Sequence, residues 1–398
     1  MDGRRTVMIN EKKNYRNIFA ELGYDSKEIE KRVRECFENI FYGPEGERLY
    51  YDVGDDMGFI TDTGNNDVRT EGMSYAMMMC VQMDDKEKFD RVWKWTKTYM
   101  WMSNPNWNKG YFKWSCALDG TPYGEGPAPD GEEYFALALF FASGRWGDGE
   151  GIYNYSREAR AILSACLHNG EPGRIGEPMW NLDNHLIKFI PCAMFTDPSY
   201  HLPHFYEYFA KNADAEDRTF WKKAAEASRK YLTKACHSVT GLSAEYAHFD
   251  GRPFREIEKD YGNVRHDWFY SDSYRTVANI GLASEWTGND EKLAVIAGNV
   301  LKFYEETCGG DCSGVYEING RPVENMTAKH MTGLIATNAE GALAIYNSGT
   351  SDEKLLCDAE KSVRKLWDTP MRTGKYRYYD NCLYMFAMLA LSGNYRIY

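Results

Sequence analysis

The chain has 398 residues, enough for a large core, with 43% hydrophobic and 27% charged residues, an ordinary balance for a soluble globular protein. Its 59 acidic and 47 basic residues give a net charge of −12, which argues against a nucleic-acid partner, because binding a polyanion needs basic patches. No stretch approaches the roughly 18 apolar residues of a membrane span, and the opening "MDGRRTVMINEKKNYRN" has no apolar h-region, so no membrane association and a cytoplasmic location are expected.

Read in chain order, helical periodicity dominates. "KEIEKRVRECFENIF" sets Ile29, Val33, Cys36, Phe37 and Ile40 in one apolar stripe. Further helices are predicted at about 71–83, 86–100, 131–142, 156–167, 202–211, 216–236, 273–285, 289–307, 332–346, 351–366 and 379–391. Those starting near 27, 86, 216, 289 and 351 are amphipathic and rich in Lys and Glu. Those starting near 71, 131, 273, 332 and 379 are apolar all round, as in "EYFALALFFAS", and belong inside a layer of other helices. The alternation predicts an all-α (α/α)6 barrel with inner and outer helices. No Pro/Gly/Ser-rich linker divides the chain, so residues 1–398 read as one catalytic domain. Strand-like alternation is scarce, and no turn pair joins two β-like runs. The long loops (42–66, 101–130, 168–201, 237–270, 308–330) all precede apolar helices, where function is expected.

The ten cysteines are scattered through apolar segments and read as reduced core residues. "CGGDC" at 308–312 lacks the further ligands zinc needs, so no metal site is expected. Aromatic residues make up 15% of the chain, a surplus suited to stacking on flat ligand faces such as sugars.

Three acids stand at the starts of all-apolar helices: Glu71 in "RTEGMSYAMMM", Asp130 in "APDGEEYFALAL" and Asp272 in "YSDSYRTVANIGL". Each taken alone could cap a helix or complement its dipole. In a barrel with parallel inner helices they meet at one end, which makes them a candidate catalytic cluster. Asp267 is a rival to Asp272 but lies back in the loop. Two carboxyl groups in unlike environments, one protonated and one ionised, are the equipment of a glycoside hydrolase. A helix start favours the ionised form of Glu71, so an acid role requires something to outweigh the dipole, and Asp130 is the candidate.

At these residues the sequence resembles glycoside hydrolase family 8, and within it the exo-oligoxylanases that release xylose from the reducing end. The similarity extends through "DTGNNDVRTEGMSYAMMM", "GPAPDGEEYFALALFFASGRWGDG", "DPSYHLPHFYEYF", "TGLIATNAEGALA" and "RYYDNCLYMFAMLALSGN". The resemblance implies an (α/α)6 barrel, inversion at the anomeric carbon and no cofactor. It implies Glu71 as proton donor, Asp272 as the base that activates water, and Asp130 as a third carboxylate that binds the sugar beside the scissile bond. It further implies substrate contacts from Arg69, Trp114, Tyr200, Arg275, Tyr378 and Tyr379. His330 in "TAKHMTGL" matches a histidine that closes the leaving side and binds the reducing-end hydroxyl. The expected partner is a small xylo-oligosaccharide; oligomeric state is left open. The alternatives are an endo-acting relative cutting β-1,4-xylan, glucan or chitosan, an α/α-barrel sugar epimerase with paired histidines, for which "HLPH" at 201–204 is the only close pair, and a sugar-binding protein without chemistry.

Overall fold

A computed structural model describes residues 14–255 and 265–398, so part of the predicted 237–270 loop lies outside the described residues. After a short α1 (Ile18–Glu21), the helices are α2 (Ser26–Tyr42), α3 (Thr70–Met83), α4 (Lys86–Tyr99), α5 (Pro129–Trp146), α6 (Tyr155–His168) and α7 (Pro203–Asn212). They continue as α8 (Arg218–Ala235), α9 (Arg275–Thr287), α10 (Glu291–Lys302), α11 (Met331–Ser348), α12 (Glu353–Asp368) and α13 (Arg377–Leu391). The odd-numbered helices from α3 to α13 touch one another in order and close back from α13 onto α3. Each packs an even-numbered helix on its outside: α4 on α3, α6 on α5, and so on to α2 on α13. This is an (α/α)6 barrel. The amphipathic α7 supplies the inner position the hydropathy pattern left unassigned, through its buried Phe205, Tyr206 and Phe209.

The two rings follow from residue chemistry. On α2, Ile29, Val33, Cys36, Phe37, Ile40 and Phe41 are buried and the Lys and Glu positions face water. On α3 the run from Gly72 to Gln82 is buried without a break. Each large apolar side chain so enclosed contributes about 1.5–3 kcal/mol, which is why the inner ring holds the core.

The rings also begin differently. Asp25, Asp85, Asn154, Asp290 and Asp352 accept hydrogen bonds from first-turn amides of α2, α4, α6, α10 and α12. Asp217 before α8 is the exception, its carboxylate bonded to His168 Nε2 at 2.8 Å. The inner helices start from Arg69, Ala128, Leu202, Tyr274, His330 and Tyr376, none of which caps with its side chain.

The long loops carry the short strands. A hairpin pairs β1 (Tyr50–Val53) with β2 (Met57–Ile60), and β3 (Val68–Arg69) pairs with β4 (Ser115–Cys116). A three-stranded sheet runs β5 (Trp268–Phe269), β6 (Gly314–Glu317), β7 (Pro322–Thr327). Two of these pairings correct the expectation that no turn pair joins two β-like runs. Asn319 and Gly320 turn β6 into β7, and Gly54, at φ +58°, helps turn β1 into β2.

Candidate active site

The starts of the inner helices surround a cleft of about 790 Å³. It is lined by Arg69, Glu71, Trp114, Asp130, Tyr200, Asp272, His330, Tyr378 and Tyr379, so nine of the ten predicted site residues reach one depression. The tenth, Arg275, lies beneath it as the first residue of α9. A groove of about 890 Å³ at the C-terminal end of α3, lined by Arg34, Asp84 and Lys86 among others, gathers none of them.

Arg275 organises the cluster. Its Nη1 donates to Glu71 Oε2 at 3.1 Å, Asp130 Oδ2 at 3.0 Å and Tyr75 Oη at 3.0 Å. Its Nη2 stands 3.7 Å from Asp272 Oδ2 and 3.8 Å from Asp197 Oδ2. Glu71 and Asp272 therefore sit on the two terminal nitrogens of one guanidinium. Four carboxylates around one buried cation cannot all ionise at low cost.

The local sequence explains the close fit. The β3–β4 ribbon and the bond from Thr70 N to Trp114 O hold the start of α3 beside Trp114. Any side chain at Gly72 would meet the Tyr378 ring at 2.7 Å, and one at Gly131 would meet Thr70 Cβ at 2.5 Å. Glycine after Glu71 and after Asp130 lets α3, α5 and α13 come together. Asp130 turns Oδ1 to its own helix, accepting from Gly131 N at 2.9 Å, and Oδ2 to Arg275. Asp272 sits in a 3₁₀ turn, Ser271–Tyr274, that leads into α9. Ser271 before it has φ +39°, strained for a residue with a side chain, and its carbonyl accepts from Tyr379 Oη at 3.2 Å.

Burial separates the two acids. The Glu71 side chain is 14% exposed and that of Asp130 9%, while Asp272 is 39% exposed. Burial pushes Glu71 up to about 8; Arg275 opposes it, and Asp130 and then Asp272 add to the rise. The force that outweighs the helix dipole is thus desolvation first, with the predicted help from Asp130 a smaller part. Asp130 is itself raised by burial against the pull of Arg275. Tyr378 Oη donates to Glu71 Oε1 at 2.8 Å, which lowers the same pKa.

The remaining predicted residues frame the cleft. Arg69 is held by Asp67 at 3.0 Å and Asp62 at 3.2 Å, with its guanidinium over the Trp114 ring. Tyr200 stacks parallel to Phe189, at 5.9 Å and 2°. His330 directs Nδ1 to Asp380 at 2.9 Å and packs against Tyr379, which leaves Nε2 as its other polar atom. Asp267 pairs with Arg265 and does not line the cleft. His201 lies between Thr196 and Ser228, and His204 is buried against Phe205 and Trp286, so neither of the close pair of histidines reaches the cleft.

Residue-by-residue reading missed the supports. Asp197 is fully buried, accepts from Ser199 N at 2.7 Å, and is raised well above the usual range by burial. Glu245 accepts from Asp272 N at 3.2 Å and meets His266 Nδ1 at 2.9 Å, and burial pushes it up to about 7. A lone acid in the apolar run "LSAEYA" was the available signal for Glu245.

The two sides of the cleft differ in their lining. His330 and Tyr376 stand before α11 and α13. Across the ring, before α5 and α7, a further hollow of about 390 Å³ shares Gly126, Pro127 and Ile190 with the cleft and ends at Trp107, 68% exposed.

Among the described residues no helix is long and apolar enough to cross a membrane. The family model for glycosyl hydrolases family 8 matches residues 51–393. A reducing end xylose-releasing exo-oligoxylanase of Halalkalibacterium halodurans is 54% identical over 97% of this chain and 95% of its own length. A second protein of that description, from Paenibacillus barcinonensis, is 53% identical over 96% of this chain and 97% of its own. The structure of the Paenibacillus barcinonensis protein complexed with xylose superposes with a TM-score of 0.90 at 52% identity, covering 97% of this chain and 98% of that one.

Proposed function

The chain belongs to glycoside hydrolase family 8, and from that membership we propose that it removes the reducing-end xylose from short β-1,4-linked xylo-oligosaccharides with inversion at the anomeric carbon. The observation that carries the reading is the pairing of a buried Glu71, whose carboxyl burial pushes up to about 8, with a more exposed Asp272 across one guanidinium. The catalytic unit is the whole barrel as one domain, acting in the cytoplasm on short oligosaccharides.

Glu71 is the general acid. Arg275 is a donor only, so the Glu71 proton resides on Oε1, where Tyr378 can accept as well as donate. That proton passes to the departing glycosidic oxygen. Asp272, on the opposite side, removes a proton from water as the water oxygen bonds to the anomeric carbon. Inversion asks for carboxyl groups roughly 6.5–9.5 Å apart, leaving room for that water. The distance from Glu71 Oε2 to Asp272 Oδ2 cannot exceed the span of one guanidinium plus 3.1 and 3.7 Å. Asp130 anchors the sugar at the reacting carbon, and Arg275 fixes all three acids. Arg69, Trp114, Tyr200 and Tyr379 line the sugar's path. Glu71 gives one proton and Asp272 takes one up, so the hydrolysis draws on no cofactor. His330, set by Asp380, meets the reducing-end hydroxyl through Nε2 and limits the leaving side to one sugar.

The test is a time course on xylotetraose with the first-formed anomer followed by proton NMR. Early xylose with xylotriose of inverted configuration is expected. Early xylobiose as the main product would instead mark an endo-acting enzyme.

A further inference from the structure

One stretch of the cleft rim carries charge of the wrong sign for a chain of net charge −12. Tyr376, which lines the cleft next to His330, has three cations around its ring: Lys329 Nζ at 4.5 Å, the Arg372 guanidinium at 5.5 Å and Lys375 Nζ at 5.6 Å. Arg372 is accounted for, because its Nη1 bonds Asp380 Oδ2 at 2.6 Å. Lys329 and Lys375 are not: among the described residues neither ammonium has a carboxylate partner, and the Tyr376 ring is the contact each one makes.

The nearby acids are already engaged. Asp380 accepts from His330, Gly333 N and Arg372. Asp62 is held by Gly64 N, Asn65 and Arg69. A cation over a half-buried ring gains little, and gathering three like charges on one ring works against that gain. An anion near the ring would offset this repulsion and accept charge-assisted hydrogen bonds from Lys329, which lines the cleft, with Lys375 adding its charge from the other position around Tyr376. The position is specific, because Lys329 adjoins His330 in sequence and lines the same cleft.

We propose that Lys329 and Lys375 on the Tyr376 rim form a binding site for a carboxylate carried by the leaving sugar. The inference rests on the reading above that His330 faces that sugar. Two sources supply the chemistry: a terminal sugar oxidised at C1 to the aldonic acid, or a uronic acid branch on the terminal sugar.

The test is calorimetric binding to the intact protein, with hydrolysis of xylotriose measured separately. Xylotrionate is compared with xylotriitol, which has the same open-chain end without charge. Xylotriose bearing a glucuronic acid on its terminal residue is compared with plain xylotriose. In one arm or the other, the acidic ligand should bind about tenfold tighter than its neutral partner, a gap that narrows as salt is raised. The arm showing it identifies the source. The Lys329→Met/Lys375→Met double variant should abolish the gap, acidic and neutral ligands then binding alike, and Lys375→Met alone, outside the cleft lining, should narrow the gap while leaving xylotriose hydrolysis unchanged. Equal binding in both arms overturns the proposal, as does a gap that survives in the double variant. Failure to hydrolyse xylotriose would count against the functional reading alone.

Discussion

The outer and inner helices solve the same terminal problem in opposite ways. An α-helix begins with unsatisfied amides and a partial positive charge. In the outer ring, Asp25, Asp85, Asn154, Asp290 and Asp352 absorb both locally. The inner ring has no such caps, and its acids stand instead within or just before the first turn, where Glu71, Asp130 and Asp272 face one another over Arg275. An Asp at an outer start is therefore an element of stability, whereas the acids at the inner starts turn toward Arg275, Asp130 also keeping one oxygen on its own helix at Gly131 N, and on the function proposed above they serve the chemistry.

Exchanging one acid in each ring is the direct way to break this comparison. Glu71→Gln should cut kcat for xylotriose by about 10²- to 10⁴-fold, the range supplied by a general acid, while thermal unfolding shows no loss of stability. An unfolded variant would mean that Glu71 is structural after all. Next in size, His330→Ala should lower kcat/KM by about tenfold, because a hydrogen bond to the terminal sugar is lost, and should raise the xylobiose share from xylotetraose. Product ratios by chromatography check it.

In the outer ring the expected effect reverses. Asp25→Ala should cost about 1 kcal/mol of stability, read by denaturant unfolding, with kcat/KM unaltered. The smallest effect sharpens the protonation side. With Glu71 held up to about 8, kcat/KM should fall as pH rises through that value, because the acid must be protonated to act. Tyr378 donates to Glu71 and lowers its pKa, so Tyr378→Phe should move the alkaline limb upward by a fraction of a unit. A downward move would reverse the assigned role of that hydrogen bond.

Much of the barrel was readable from periodicity, since a helix buried on every side must be apolar on every side. α7 resisted that reading because Glu207 and Lys211 sit on it and only part of its surface is enclosed. The β6–β7 turn was readable too: Asn319-Gly320 is a strong hairpin signal that the weak alternation of the flanking strands obscured. Asp197 and Glu245 were not readable as supports of particular residues, because an acid before Pro198 or within "LSAEYA" signals at most a buried carboxyl and does not name the neighbours it meets across the fold.

By itself the sequence determined which segments coil, which are buried and which acids stand at the starts of the buried ones, because these properties depend on residues three or four apart. Only the tertiary structure decided how far each acid is withdrawn from water. Glu71 is raised by removal from water and opposed by a guanidinium 204 residues further along the chain, whereas Asp272 remains partly solvated. Desolvation and Coulomb interactions depend on distance in space, and distance in space is set by how the whole barrel closes.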